Sequence, residues 1–188
     1  MIRSIWTDAF EMAAAARLGR GRAQALRMMR TDAFHLLVLF RLRALIRRWH
    51  IPMLNRHLRL CQMMFGGVEL GDEVTLGRGV YFIHSLGTVV GGTARVGDRV
   101  RFMGNNTVGT ARDNGYPVIE DDVELGAGAR VLGPVRIGAG AVIGANSVVL
   151  SDIPAGAVAV GAPARIVRTA GTTSARADNL RLLVAKEA

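Results

Sequence analysis

An aliphatic or aromatic residue recurs at about every sixth position between residues 70 and 149, and glycine usually follows it. The series consists of Leu70, Leu76, Phe82, Val90, Val96, Phe102, Val108, Ile119, Leu125, Val131, Ile137, Ile143 and Val149. This period matches neither an α-helix nor a simple alternating strand. It predicts a parallel β-solenoid, in which each short strand turns one apolar residue inward and small residues form the corners. Three six-residue sides make one coil, so about five coils fit between residues 68 and 163.

The repeat loses its register twice. The interval from Phe82 to Val90 is two residues longer than the six-residue period, and the interval from Val108 to Ile119 is five residues longer. A solenoid can accommodate extra residues only as outward bulges or loops, where functional groups are often found. The first slip contains His84, and the second predicts an external loop over 110–117. Counting one coil onward from His84 predicts that Gly104 and Asn105 lie beside it.

The amino-terminal third is predicted to be helical and basic. Residues 1–67 contain twelve Arg and three acidic residues, whereas the charges of residues 68–188 balance. A Thr31–Asp32 cap begins a helix over 33–49, Pro52 ends it, and a second helix follows over 53–65. The basic helix face is open to two interpretations, a solvated face or contact with a membrane surface or anionic glycan. We expect a helical region at 1–67, a β-helix domain at 68–168 and a tail at 169–188.

Several classes of protein are excluded by composition. A single cysteine, Cys61, rules out an intrachain disulfide framework and a cysteine zinc cluster, and it fits a reducing compartment. His84 is the only histidine of the repeat, so the chain lacks the histidines of a prism-type zinc enzyme, and no metal is expected. No nucleic-acid-binding motif accompanies the arginines. We expect no cleaved leader and no membrane span, hence a cytoplasmic protein with peripheral membrane contact as an option.

The stretch Gly77–Thr93 reads GRGVYFIHSLGTVVGGT and resembles the serine acetyltransferase signature G-R-G-x-x-[IL]-D-H-x-x-G-[IV]-V-[IV]-G-E-T. The blocks at 126–133, 143–150 and 160–167 are similar to later blocks of that family. The resemblance covers about residues 25–168. It implies a mainly β fold, a left-handed parallel β-helix with a short helical lead-in, and acetyl-CoA-dependent transfer to a hydroxyl group. Paralogues in polysaccharide gene clusters share these blocks.

The resemblance also implies roles for particular residues. His84 takes the position of the general base, and Glu69, fifteen positions earlier, takes that of its acidic partner; Glu69 as an ordinary solvent-facing residue remains an alternative. Asn105, Asn106 and Tyr116 are expected near the acceptor. Acetyl-CoA is expected as donor in a groove between subunits of a homotrimer, with a dimer of trimers also open. The candidate CoA contacts are Gly109, Thr110, Ala127, Gly128, Ala145 and Arg165, of which only Arg165 would use its side chain, on a phosphate.

Four departures from the signature bear on the acceptor. Ile83 replaces the Asp before the histidine, Gly92 replaces the Glu of G-E-T, Tyr116 replaces a second histidine, and an Asp of the helical region is missing near 18–20. A desolvated zwitterion such as serine needs charged partners. We therefore expect a neutral acceptor, a sugar or polysaccharide unit or another small alcohol. Serine O-acetylation and a catalytically inactive scaffold are the two alternatives.

Overall fold

The computed structural model describes residues 2–169, so the predicted tail lies outside the described residues except for Thr169. Four helices come first: α1 Ile2–Ala15, α2 Arg22–Met28, α3 Asp32–Arg48 and α4 Pro52–Gly66. The strands that follow are β1 Val68–Leu70, β2 Thr75–Leu76, β3 Tyr81–Phe82, β4 Thr88–Val90, β5 Arg95–Val96, β6 Arg101–Phe102, β7 Thr107–Gly109, β8 Val118–Ile119, β9 Glu124–Leu125, β10 Arg130–Leu132, β11 Arg136–Ile137, β12 Val142–Ile143, β13 Val148–Val149, β14 Val158–Val160 and β15 Arg165–Arg168.

The strands stack into a three-sided parallel solenoid. The first face contains β1, β4, β7, β10 and β13, the second contains β2, β5, β8 and β11, and the third contains β3, β6, β9, β12 and β14 with β15 added antiparallel. The chain therefore makes about five coils, which confirms the predicted mainly β architecture and is consistent with a left-handed β-helix. Within residues 2–169, no helix is long and apolar enough to cross a bilayer.

The sixth-position residues fill the interior of the prism. Leu70, Val90 and Val108 lie on successive coils of the first face, and all are fully buried. On the third face, the rings of Phe82 and Phe102 stack with their centroids 4.9 Å apart. Burying one apolar side chain per strand is the main source of stability for such short strands.

Both register slips leave the prism, as predicted. Residues 83–87 form an irregular corner between β3 and β4, and residues 110–117 form a loop between β7 and β8. The middle of that loop, 111–114, is exposed. The helix predictions at 33–49 and 53–65 are confirmed to within one residue at either end. Thr31 caps α3 by accepting the Phe34 N–H at 3.3 Å.

Helix α3 covers the open end of the solenoid. Thr75 and Gly77 donate their backbone N–H groups to the second coil, to Ala94 at 3.0 Å and Val96 at 2.7 Å. Since neighbouring strand residues point their backbone groups in opposite directions, the carbonyl of Leu76 faces away from the second coil. An edge of this kind needs a partner or a cover.

Two arginines of α3 supply the missing donors. Arg41 donates to the carbonyls of Leu76 and Gly77, and Arg43 donates to that of Leu70 at 3.1 Å. The Arg43 side chain has no exposed surface. For these two residues, both interpretations of the basic helix face, solvation and external contact, are therefore wrong. They instead fix the helical region to the first coil.

Candidate active site

Six of the eleven predicted site residues lie at one corner of the prism. This corner, which joins the third face to the first, consists of residues 83–87, 103–106, 126–129 and 144–147, and we call it the histidine corner. Its coils are joined by backbone hydrogen bonds: Gly128 N donates to Gly104 O at 2.9 Å, and Asn146 N donates to Ala127 O at 2.8 Å. The predicted CoA contacts Ala127, Gly128 and Ala145 therefore lie in a column with the histidine.

His84 is exposed on the outside of this corner. A Cβ atom added to Gly104 would lie 2.9 Å from the His84 Cβ, so the next coil can pass so close only because residue 104 is glycine. The predicted proximity of His84, Gly104 and Asn105 is thereby confirmed. Beneath them, the Phe82–Phe102 stack supports the corner from inside the prism. The His84 imidazole is therefore accessible from outside the prism. The backbone that bears it is held in place by packing against Gly104 and the Phe82–Phe102 stack.

Arg130 fixes the part of the corner next to the histidine. Its guanidinium donates to the main-chain carbonyl of Asn105, to the Asn105 side chain at 3.3 Å and to Thr107 Oγ1 at 2.9 Å. Asn105 has a left-handed backbone with φ of 50° and donates its N–H to Leu86 O at 3.0 Å. Sequence reasoning missed Arg130. The available signal was its place at the start of β10, one coil beyond Thr107.

Asn106 does not face the site. Its side chain is fully buried and its amide is occupied by backbone groups: Oδ1 accepts the Gly104 N–H at 3.0 Å, and Nδ2 donates to Gly126 O at 2.7 Å. The expectation that Asn106 contacts the acceptor therefore requires correction. Its amide provides hydrogen-bond partners for backbone groups on two successive coils of the histidine corner, because a buried polar group needs a partner.

Glu69 lies on β1 with its side chain outside the first face, opposite Val89 of β4. Its carboxylate forms an ion pair with Arg59 of α4 at 2.6 Å. The residue is half-buried, and the contact described for its side chain is with Arg59. Sequence reasoning missed this arginine because the pair joins a helix to a strand and has no periodic signal. Glu69 as the partner of His84 therefore stays a prediction.

The other edge of the first face forms a second corner, consisting of residues 91–94, 110–117 and 133–135, which we call the loop corner. Here the ring of Tyr116 lies directly against Gly92, and a Cβ atom added to Gly92 would overlap it. Gly92 also has a positive φ of 57°. The two departures from the family signature at residues 92 and 116 therefore belong together: the Tyr116 ring fills the space that a side chain at position 92 would occupy.

The remaining predicted residues are distributed between the histidine corner and the loop corner, which lie at opposite edges of the first face. Gly109 and Thr110 belong to the loop-corner end of β7, whereas Asn105 belongs to its histidine-corner end. At about 3.3 Å per residue, the strand between them spans more than 10 Å. Within one protomer, Tyr116 and Thr110 are thus not brought to His84. Arg165 begins β15 and is exposed, and its guanidinium contacts the Ala164 carbonyl at 3.1 Å.

Comparison with known proteins places this geometry in a family. The model of the bacterial transferase hexapeptide (six repeats) matches residues 116–151. Serine acetyltransferase of Helicobacter pylori strain J99 is 36% identical over 136 residues, which are 71% of this chain and 80% of that protein. The chain belongs to the serine acetyltransferase family. Its solenoid and helical lead-in match the soybean serine acetyltransferase complexed with serine at a TM-score of 0.77 and 34% identity, covering 88% of this chain and 70% of that one.

Other members of the serine acetyltransferase family extend the comparison. A serine acetyltransferase solved in complex with CoA superposes at a TM-score of 0.76 with 31% identity, over 88% of this chain and 70% of that one. The Synechococcus elongatus enzyme is 36% identical over 141 residues, which are 73% of this chain but only 58% of the relative. The chain therefore spans little more than half the length of that relative.

Proposed function

We propose that this protein is an acetyl-CoA-dependent O-acetyltransferase in which His84 is the general base. The observation that carries the proposal is the position of His84, exposed at a corner that also stacks Ala127, Gly128 and Ala145. Family membership supports the reaction class, and the relative solved with CoA supports the donor.

The chemistry needs one base and no covalent intermediate on the protein. The imidazole of His84 takes the proton of the acceptor hydroxyl as its oxygen attacks the thioester carbonyl of acetyl-CoA. The C–S bond then breaks, the acetyl group stays on the acceptor oxygen, and the imidazolium returns the proton to the departing thiolate. Imidazole suits both steps because it can accept a proton and then release it. Cys61 lies on α4, outside the prism, and takes no part.

We propose further that the working unit is a homotrimer packed through its prism faces, with association of two trimers as a second level. The separation of the two corners within one protomer supports this assembly, because a neighbouring copy can bring its own loop corner to the histidine corner. The groove between them would hold the pantetheine arm. Gly109 and Thr110 would line one wall, Ala127, Gly128 and Ala145 would line the other, and Arg165 would meet a phosphate.

L-serine is the first candidate for the acceptor. The relatives support it, since they are serine acetyltransferases and the soybean enzyme was solved with serine. This reverses our expectation from sequence, in which a neutral acceptor came first. A neutral hydroxyl compound remains the second candidate on one observation: the Tyr116 ring occupies the space next to Gly92 where the family signature has a carboxylate.

Thiol release from acetyl-CoA tests the proposal, measured with L-serine and with a panel of sugars and small alcohols. Turnover with L-serine at an ordinary kcat/KM supports the first candidate. Turnover with a neutral alcohol and none with serine supports the second. If calorimetry detects no binding of acetyl-CoA and no acceptor is turned over, the chain is a scaffold and the enzymatic proposal fails.

A further inference from the structure

Helix α4 buries two polar side chains and exposes most of its large apolar side chains. Its buried residues are Asn55 and Gln62. The exposed side chains include Met64, at 78%, and Phe65, at 86%. The large apolar residues that are exposed on α4 and just before it are Trp49, Ile51, Met53, Leu54, Leu60, Met63, Met64 and Phe65. A helix on the surface of a globular domain normally has the opposite arrangement.

The polar inner side has a local cause. Arg43 is buried beneath α4, and its guanidinium donates to Gln62 Oε1 and to Asn55 Oδ1. Because a buried guanidinium needs acceptors, the face of α4 that covers it has to be polar. The apolar outer side has no such explanation, because nothing within residues 2–169 covers it.

The outer residues form one continuous stripe, which we call the outer stripe of α4. Met53, His57, Leu60 and Met64 follow at spacings of four, three and four, so they lie in line along the helix. Phe65 extends the same surface at the carboxyl end of the helix. A helix of this length offers an apolar strip roughly 20 Å long, at 1.5 Å per residue.

Positive charge surrounds this stripe. No Asp or Glu occurs between residues 33 and 68, whereas that segment contains six Arg. Four of the six are occupied internally, but Arg48 and Arg56 are exposed, and neither forms an ion pair with a residue in the range 2–169. The result is an apolar strip with free guanidinium groups at its edges, and the acidic residues that contact α4 from the prism, Glu69 and Asp72, are paired with arginines.

A shallow depression lies where α3 meets α4. It has a volume of about 430 Å³ and is lined by Arg47, His50, Ile51, Pro52 and Asn55. Arg47 Nη1 is buried there without a hydrogen-bond partner, and the nearest described acidic oxygen is 3.8 Å away on Asp72. The depression thus places Arg47 and His50 beside the outer stripe.

We propose that the outer stripe of α4 docks the protein on an anionic lipid membrane. The Met, Leu and Phe side chains would lie at the boundary between headgroups and acyl chains, and Arg48 and Arg56 would meet lipid phosphates. A second copy of this chain fits the surface less well. Pairing two outer stripes would bring together Arg48 and Arg56 of both copies, while Glu69 and Asp72 are already paired with arginines of their own chain.

This inference stands independently of the catalytic proposal. It narrows the expected peripheral membrane contact of the Arg-rich N-terminal helices to one helix, because Arg41 and Arg43 of α3 are engaged with the first coil. Membrane contact is carried instead by α4. One consequence rests on the proposed function: an acetyltransferase held in this way would act on acceptors at or near a membrane surface.

Co-sedimentation of the full-length protein with lipid vesicles tests the proposal. Vesicles of phosphatidylcholine alone are compared with vesicles that also contain phosphatidylglycerol. We expect binding to the anionic vesicles that weakens in high salt. The double variant Leu60→Gln, Met64→Gln should bind at least tenfold more weakly, since each substitution removes apolar area from the contact. Leu150→Gln is the matched control: Leu150 is also exposed, on the prism, and its replacement should leave binding unchanged.

Charge and insertion are tested separately. The double variant Arg48→Gln, Arg56→Gln should lose roughly fivefold in binding per arginine. In a Trp6→Phe background, fluorescence reports on Trp49, which should shift to the blue on anionic vesicles. Light scattering gives the oligomeric state of each protein. The proposal is overturned if the wild type does not bind anionic vesicles, or if the Leu60→Gln, Met64→Gln variant keeps binding while its oligomeric state falls.

Discussion

Arg130 binds Asn105 at two points, donating to its main-chain carbonyl and to its side-chain oxygen, and Asn105 in turn donates its N–H to Leu86 O. The guanidinium is thus connected, through one residue in a left-handed conformation, to the loop that bears His84. Arg130 does not need to touch substrate to matter. In the proposed reaction it is a positioning residue for the base.

Arg130→Met should therefore lower kcat roughly tenfold to a hundredfold, since a displacement near 1 Å can cost about that much. The KM for acetyl-CoA should change far less, and the pH profile should keep its shape because His84 remains. The kcat of Arg130→Lys should lie between those of the wild type and Arg130→Met, because lysine keeps the charge but not the forked geometry. Steady-state kinetics measure kcat and KM for all three proteins. A change confined to KM would assign Arg130 to donor binding instead.

His84→Asn should lower kcat by about 10²- to 10⁴-fold, the usual contribution of a positioned base. Because His84 is exposed, the free energy of unfolding should change by less than about 0.5 kcal/mol. Calorimetry should give an unchanged affinity for acetyl-CoA. His57→Asn is the control, since His57 is also exposed but lies on α4, and it should keep full activity. Full activity of His84→Asn would remove His84 from the chemistry.

The parts of the fold that repeat were the parts that sequence could predict. One inward side chain every sixth residue fixes strand, corner and coil, so counting coils was enough to put Gly104 beside His84. The role of Arg43 could not be predicted, because its partners come together only at the open end of the solenoid, which no local pattern marks; they are the Leu70 carbonyl and the side chains of Asn55, Gln62 and Asp72. Asn106 was misplaced because inward and outward positions do not alternate simply at a corner. The contact between Tyr116 and Gly92 lies in a loop with no periodic register.

The burial of Arg43 gives a prediction about stability. Arg43→Met leaves the Leu70 carbonyl and Gln62 Oε1 without their donor, and each unsatisfied buried acceptor costs about 1–3 kcal/mol. We expect a total loss of roughly 2–6 kcal/mol in the free energy of unfolding, measured with urea. Arg48→Met is the matched control in the same helix, and it should change stability by less than about 0.5 kcal/mol. Equal effects would contradict the capping role of Arg43.

Asp72 makes part of this stability depend on pH. Its partial burial acts to raise its pKa, but hydrogen bonds from Asn55 and Arg43 and the nearby positive charges outweigh burial and hold the pKa of Asp72 below its ordinary value. A carboxyl whose pKa is lower in the folded state stabilises the protein above its unfolded pKa, near 4. That contribution is lost as the pH falls through the lower folded value.

The difference in unfolding free energy between wild type and Asp72→Asn should thus be constant from about pH 6 to pH 7 and shrink below about pH 4. Urea unfolding across this range measures it. Glu73→Gln, next to Asp72 in the chain, is the control for the loss of one negative charge, because Glu73 is exposed and forms no ion pair with a residue in the range 2–169. A difference between wild type and Asp72→Asn that grew on acidification would mean that the carboxyl is not stabilised in its charged form.

The packing of Tyr116 on Gly92 predicts a coupling that also bears on the acceptor. Gly92→Glu alone should destabilise the loop corner, because even a Cβ atom overlaps the ring and the positive φ disfavours any side chain. In a Tyr116→His background the smaller imidazole ends short of the Tyr116 Cζ position that a Cβ atom would overlap, so the same substitution should cost less, about 1–2 kcal/mol for the left-handed backbone. A double-mutant cycle in urea measures this coupling.

The same cycle separates the two acceptor candidates. If Gly92 and Tyr116 exclude charged acceptors, the double variant Gly92→Glu, Tyr116→His should gain kcat/KM for L-serine and lose it for any neutral alcohol that the wild type accepts. If the wild type already uses serine efficiently, the double variant should gain nothing. Tyr116→Phe is the control, since it keeps the ring over Gly92 and removes only the hydroxyl. If the acceptor preference is unchanged across the cycle, the loop corner does not determine acceptor specificity.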